Sequence, residues 1–119
     1  MATSNKTKGL LYMSYIGHVT AADLRRNHND VVALLSEMPT GFKMLVDLGR
    51  LDFMDTDSLE EIGKIMELLD QHGLKQVVRV IPDPAKDIGF NILARFHYSH
   101  NPRITNCKTI LEAAKLLSI

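Results

Sequence analysis

Residues Asp55, Thr56, Asp57 and Ser58 put two carboxylates and two hydroxyls into four consecutive positions. Such a run can cap a helix, offer hydroxyls for phosphorylation, or present negative charge to a partner. The residues that follow narrow the choice. Leu59, Ile62, Ile65, Met66 and Leu69 fall at i, i+3, i+6, i+7 and i+10, one face of a 3.6-residue period. The polar run therefore opens a helix, where exposed amides and the helix dipole favour anions. Other reactive side chains are less well placed. His97 and His100 have helical i,i+3 spacing, but no third ligand is spaced to complete a metal site, so they read as surface or helix-end histidines. Cys107 stands where the closing helix is expected to begin, which would lower its thiol pKa, yet no base or oxyanion-hole motif accompanies it. Asp47 ends an apolar run as a phosphoaccepting aspartate would. A receiver site also needs an acidic pair after the first strand, and this chain has Gly17 and His18 there. Gly49, Gly63 and Gly89 form no phosphate-cradling loop, and Gly63, inside a helical pattern, predicts close approach of a neighbour. No nucleophile–base pair or ligand triad is visible. The reading is a non-enzyme with no catalytic residue, cofactor or metal.

The totals limit the partners. The 119 residues suit one compact domain, with residues 1–8 as a loose polar tail and 9–119 as the folded part. Fourteen basic and fourteen acidic side chains give zero formal charge, which argues against a phosphate-backbone binder and favours self-association, so a homodimer is an expectation. A single cysteine allows no internal disulfide and fits a reducing compartment. No apolar run approaches the roughly 20 residues of a membrane span. A cytoplasmic domain with no nucleic-acid or membrane partner is expected.

The elements that must position the polar run follow from periodicity. Leu10 to Ile16 reads as a strand, and Gly17 and His18 as a turn. Thr20 begins a helix with Asp23 at the third position of an approximate capping box, and Leu24, Val31, Leu35 and Met38 face the core. Pro39, Thr40 and Gly41 stop it. Met44, Leu45 and Val46 form a strand covered on both faces, and Leu51 and Phe53 return an apolar pair at alternate positions. The second helix ends at Gly73, and Val77 to Ile81 is another two-sided strand. Beyond Pro82, Asp83 and Pro84, the residues Ile88, Ile92 and Phe96 mark a third helix. Arg103 to Thr105 is a short strand, capped at Thr105 or Asn106 into a last helix burying Ile110, Ala113, Ala114 and Leu117. The order β-α-β-α-β-α-β-α predicts an α/β fold with a largely parallel sheet, in which the first strand is an antiparallel edge and sites lie at the carboxyl ends of strands.

The stretch MLVDLGRLDFMDTDSLEEI resembles the signature of STAS domains, the family of bacterial anti-sigma-factor antagonists and sulfate-transporter tails. GHVTAADL, QVVRVI and ITNCKTILEAAKLL are similar to flanking segments of that family. The resemblance implies a SpoIIAA-like fold of four to five mixed, mostly parallel strands covered by about four helices. It also implies a signalling role in transcription regulation, through a protein partner such as an anti-sigma-factor or kinase-like regulator. Asp55 matches the family's acidic residue and Thr56 its first hydroxyl. The second hydroxyl, the phosphorylated one in antagonists, is Asp57 here, and the family's glycine is Ser58. A carboxylate carries one charge and two acceptors where a phosphoserine adds about −1.5 to −2 and three. The expected partner-binding surface is Asp55, Thr56, Asp57, Ser58 and Leu59, held permanently acidic by Asp57, with Glu60, Glu61 and Lys64 as exposed neighbours. Thr56 and Ser58 are the remaining hydroxyls open to phosphorylation.

An alternative comes from Met38, Met44, Met54 and Met66 with Phe42, Phe53, Phe90 and Phe96. These eight either fill the core or line an adaptable cavity for an apolar or lipid-like molecule.

Overall fold

The computed structural model describes residues 1–83 and 90–119. In chain order the elements are β1 (Ala2–Asn5), β2 (Leu10–Ser14), β3 (Gly17–Val19), α1 (Ala21–Leu35), β4 (Lys43–Asp47), β5 (Leu51–Met54), α2 (Ser58–Gln71), β6 (Gln76–Val80), α3 (Phe90–His97), β7 (Arg103–Cys107) and α4 (Ile110–Leu117). Five strands form one sheet in the order β1-β2-β4-β6-β7, and β3 and β5 form a separate two-stranded ladder. In the main sheet β1 is antiparallel to β2 and every other neighbour pair is parallel.

Burial explains the continuous apolar runs. Met44, Val46 and Val77 face a core shared with α1, α2 and α3, whereas Leu45, Val78 and Val80 pack with Ala113 and Leu117 of α4. With helices on both faces, successive residues of β4 and β6 are buried whichever way they point. The exception in kind is Arg79. This charged side chain is buried in the larger core, donates to the Phe90 carbonyl at 3.4 Å and lies over the Phe90 ring.

Several expectations need correction. The tail 1–8 contributes β1, whose Ala2 pairs with Met13 and whose Asn5 pairs with Leu10. Its side chains are mostly exposed, so main-chain hydrogen bonds rather than burial hold it, and hydrophobic patterning could not reveal it. The antiparallel edge is thus β1, and β2 is parallel to β4. The 10–16 strand stops at Ser14, and Ile16 is exposed. Gly17 and His18 are not a free turn but the start of β3. On α3 the stripe is reversed: Phe90 and Ala94 are buried, while Ile92 and Phe96 are exposed, and Ile88 lies outside the described residues. On α4 Ala113 and Leu117 are buried, Ala114 is half-buried and Ile110 is exposed. Its cap is Thr109, whose hydroxyl accepts from the Glu112 amide, because β7 runs on to Cys107.

Candidate functional site

The polar run lies at the carboxyl end of β5, where the chain turns into α2. The Asp55 amide donates to the Val19 carbonyl at 3.2 Å, and the Ser58 hydroxyl donates to the same carbonyl at 3.3 Å. These two bonds tie the start of α2 to β3. Two backbone bonds close the turn between them, Ser58 N to Asp55 O at 2.9 Å and Leu59 N to Thr56 O at 3.3 Å. The bend is therefore fixed by main chain and by one buried hydroxyl. The Thr56 and Asp57 side chains point to solvent.

The predicted residues separate into two groups. Thr56 and Asp57 are exposed, Asp55 and Leu59 are half-buried, and all four sit at the start of α2. Ser58, by contrast, is completely buried, which corrects its place in the expected contact surface and as a phosphorylatable hydroxyl. Asp57 occupies the N-cap position with helical backbone angles, φ −68° and ψ −15°, and its side chain makes no capping bond. A capping acid would have extended backbone and accept from the second or third amide of the helix. Glu60 and Lys64 are exposed as expected, but the Glu61 side chain is only 12% exposed, between Arg25 at 3.6 Å and Lys64 at 3.4 Å.

Two site residues escaped sequence reasoning. β3 and β5 run parallel with His18 opposite Phe53, and the two rings stack with centroids 4.1 Å apart. His18 Nε2 lies 2.5 Å from Asp55 Oδ1. Phe53 was expected to return to the core with Leu51; it is instead 52% exposed, and Leu51 and Met54 are buried. The result is an exposed aromatic shelf beside the acidic turn. Hydrophobic alternation around Phe53 gave no such signal, because β5 has its buried residues at its two ends.

The other candidates are structural. His97 Nδ1 lies 2.8 Å from Glu67 Oε1, and its ring packs where a Cβ on Gly63 would come within 2.6 Å, so Gly63 is the close-approach glycine expected. His100 lies beyond α3, with Nδ1 2.9 Å from Asp70 Oδ2. Buried Asp70 also accepts from the Ser99 hydroxyl at 2.7 Å and from the Ser99 and His100 amides at 3.2 and 3.0 Å. Burial pushes the Asp70 carboxyl up, but these hydrogen bonds outweigh it and hold it below the ordinary aspartate value. Cys107 ends β7 rather than starting a helix, and burial pushes its thiol up, with Glu112 adding to the effect and a backbone hydrogen bond at Thr109 opposing it. Asp47 turns the chain by accepting from the Gly49 amide at 2.9 Å. Among the described residues no three His, Cys, Asp or Glu side chains are placed to share a metal, and no helix is long and apolar enough to cross a membrane.

The methionine and phenylalanine set is mostly core. Met44, Met54, Met66, Phe42 and Phe90 are buried, Met38 is half-buried, and Phe53 and Phe96 are exposed. The apolar space between Met13, Met44, Met66, Phe90 and Tyr98 amounts to about 30 Å³. Ligand pockets for small molecules run to about 300–1,000 Å³, so this space suits packing rather than a lipid-like guest.

No protein-family model matches the sequence. No curated protein matches it either. Solved structures do. One is an uncharacterized protein of the DUF3478 family with a SpoIIAA-like fold from Shewanella loihica, which is 14% identical with a TM-score of 0.72 over 91% of this chain and 83% of that one. Another is the anti-sigma-factor antagonist SpoIIAA in its unphosphorylated form, which is 15% identical with a TM-score of 0.61 over 99% of this chain and 96% of that one. The chain has the SpoIIAA-like fold, and its resemblance to STAS domains holds at the level of architecture.

Proposed function

We propose that this protein is a non-enzymatic regulatory module that docks on another protein through the start of α2. The carrying observation is the side chain of Asp57, exposed at the helix N-cap position yet making no capping bond. A carboxylate without an internal task, on a backbone held by Ser58 and Val19, is available to a partner. Asp55 and Thr56 extend the charged and hydroxylated surface, and Phe53 with His18 adds an apolar, ring-stacked shelf beside it. Exposed aromatic area is what protein interfaces enrich, with polar and charged groups at the rim around it. The SpoIIAA-like fold supports a protein partner in general terms. In this reading Asp57 keeps permanently the negative charge that antagonists acquire by phosphorylation, and the module acts in cytoplasmic signalling.

Affinity capture with wild type, Asp57→Glu and Asp57→Lys tests this. Proteins retained by wild type and Asp57→Glu should be lost with Asp57→Lys. Equal retention by all three would place the interface elsewhere.

A further inference from the structure

At the amino-terminal ends of β4, β6 and β7, away from the start of α2, three cationic side chains come together. Lys43 is the first residue of β4, Lys75 precedes β6 and Arg103 is the first residue of β7. Gln76 is register partner to both Lys43 and Arg103, so the row crosses three adjacent strands. Together with Gln76, Asn101 and Ser118 these cations line an open cleft of about 530 Å³ against the end of α4. No carboxylate side chain lines it. Among the described residues none of the three cations has an acidic partner, a state shared with Lys8, Arg50, Lys108 and Lys115; what is particular here is that three of them line one cleft.

Zero net charge sharpens the point. With fourteen acids available to fourteen bases, neutral pairing was open to these residues, and instead three positive charges converge on one concavity. Like charges on neighbouring strands repel. Part of that repulsion is relieved by the α4 terminus, since Lys43 Nζ donates to the Leu117 carbonyl and Gln76 Nε2 to the Leu116 carbonyl, both at 3.4 Å. A lysine ammonium has three donors, so Lys43 keeps capacity for a ligand, and Lys75 and Arg103 are exposed and uncommitted. Asn101 and Ser118, the two non-glycine residues with positive φ among the described ones, both border this cleft at φ 50° and 59°.

We infer that this cleft binds a small molecule through a phosphate or pyrophosphate group. Arg103 supplies a planar fork for two phosphate oxygens, Lys75 and Lys43 supply point charges, and Gln76 and Asn101 supply neutral N–H donors. The inference is independent of the docking surface at α2, which lies at the other ends of the strands.

Titration of the 15N-labelled chain with inorganic pyrophosphate at low ionic strength tests it. Saturable shifts should appear at Gln76, Asn101, Arg103 and Ser118, leave Asp55 to Leu59 unmoved, and weaken with added salt. The Lys75→Gln, Arg103→Gln double variant alters exposed positions only, and its Kd should rise at least about tenfold. Absence of saturation, shifts spread equally over Lys8 and Lys108, or an unchanged Kd in the double variant would overturn the assignment. A second arm uses phosphatidylglycerol vesicles. Vesicle binding without a pyrophosphate response would identify a membrane-surface patch and overturn the small-molecule site, whereas competition between the two would identify a phospholipid headgroup as one source of the same phosphate.

Discussion

α1 and α2 begin in unlike ways. At α1 the Thr20 hydroxyl accepts from the Asp23 amide at 3.2 Å, and the Asp23 carboxylate accepts from the Thr20 amide at 3.0 Å, a complete capping box. These bonds hold the Asp23 carboxyl below its ordinary pKa, with Arg26 and His18 assisting. At α2 a residue of equal capping ability, Asp57, makes no such bond, and the turn is held by backbone carbonyls and buried Ser58. One helix uses its polar side chains on its own first turn, and the other leaves Thr56 and Asp57 outward. Under the proposed function, the difference separates a helix start that is closed on itself from one that a partner can reach.

The strongest way to break the comparison is to disturb the anchor. Ser58→Asp would place a carboxylate in a completely buried position and displace the bond to Val19. An unfolding free energy lower by about 3 kcal/mol or more is expected in urea titration. A loss below about 0.5 kcal/mol would mean that Ser58 is not the anchor.

The far end of α2 is next in size. Asp70→Asn removes the charge that Ser99 and His100 surround, at an expected cost of about 2 kcal/mol at neutral pH. The sign with pH follows from the lowered folded-state pKa. The contribution is fully present above the ordinary aspartate value of about 3.9 and is lost as pH falls through the lower folded value. Wild type should therefore lose stability more steeply than Asp70→Asn during acid titration below about pH 5. Parallel profiles would remove the assignment. At α1, Thr20→Ala should cost about 1 kcal/mol, the usual worth of an N-cap side chain, measured by thermal or urea unfolding.

How legible this was depends on which elements sequence periodicity can report. The two-sided strands β4 and β6, the buried stripes of α1 and α2 and the capping box were readable, because each is encoded within about 15 residues. The β3–β5 ladder was not. It joins His18 to Phe53 across 35 positions with only three pairs, so neither segment carries a strand's length of alternation. β1 has almost no buried side chain to betray it. The exposed Ile92 and Phe96 obeyed helical spacing as well as the buried Phe90 and Ala94 did, and periodicity alone cannot choose between two apolar stripes. The acidic turn could be placed from sequence, but the division between exposed Asp57 and buried Ser58 required the tertiary bond to Val19.

Asp57→Ser carries the smallest expected stability change and discriminates most sharply between the two kinds of helix start. If Asp57 were a working cap, its replacement would act through a lost side-chain bond; no such bond exists, and its backbone is already helical. What remains is the attraction of an exposed carboxylate to the helix dipole, a few tenths of a kcal/mol and screened by salt. The expected shift in unfolding free energy is therefore within about 0.5 kcal/mol, and partner retention falls because the surface has lost its unpaired, exposed carboxylate. A loss of about 1 kcal/mol or more, insensitive to salt, would make Asp57 a structural residue like Thr20 and erase the contrast between the helices. Unchanged stability with unchanged partner binding would leave the contrast intact and remove Asp57 from the docking surface.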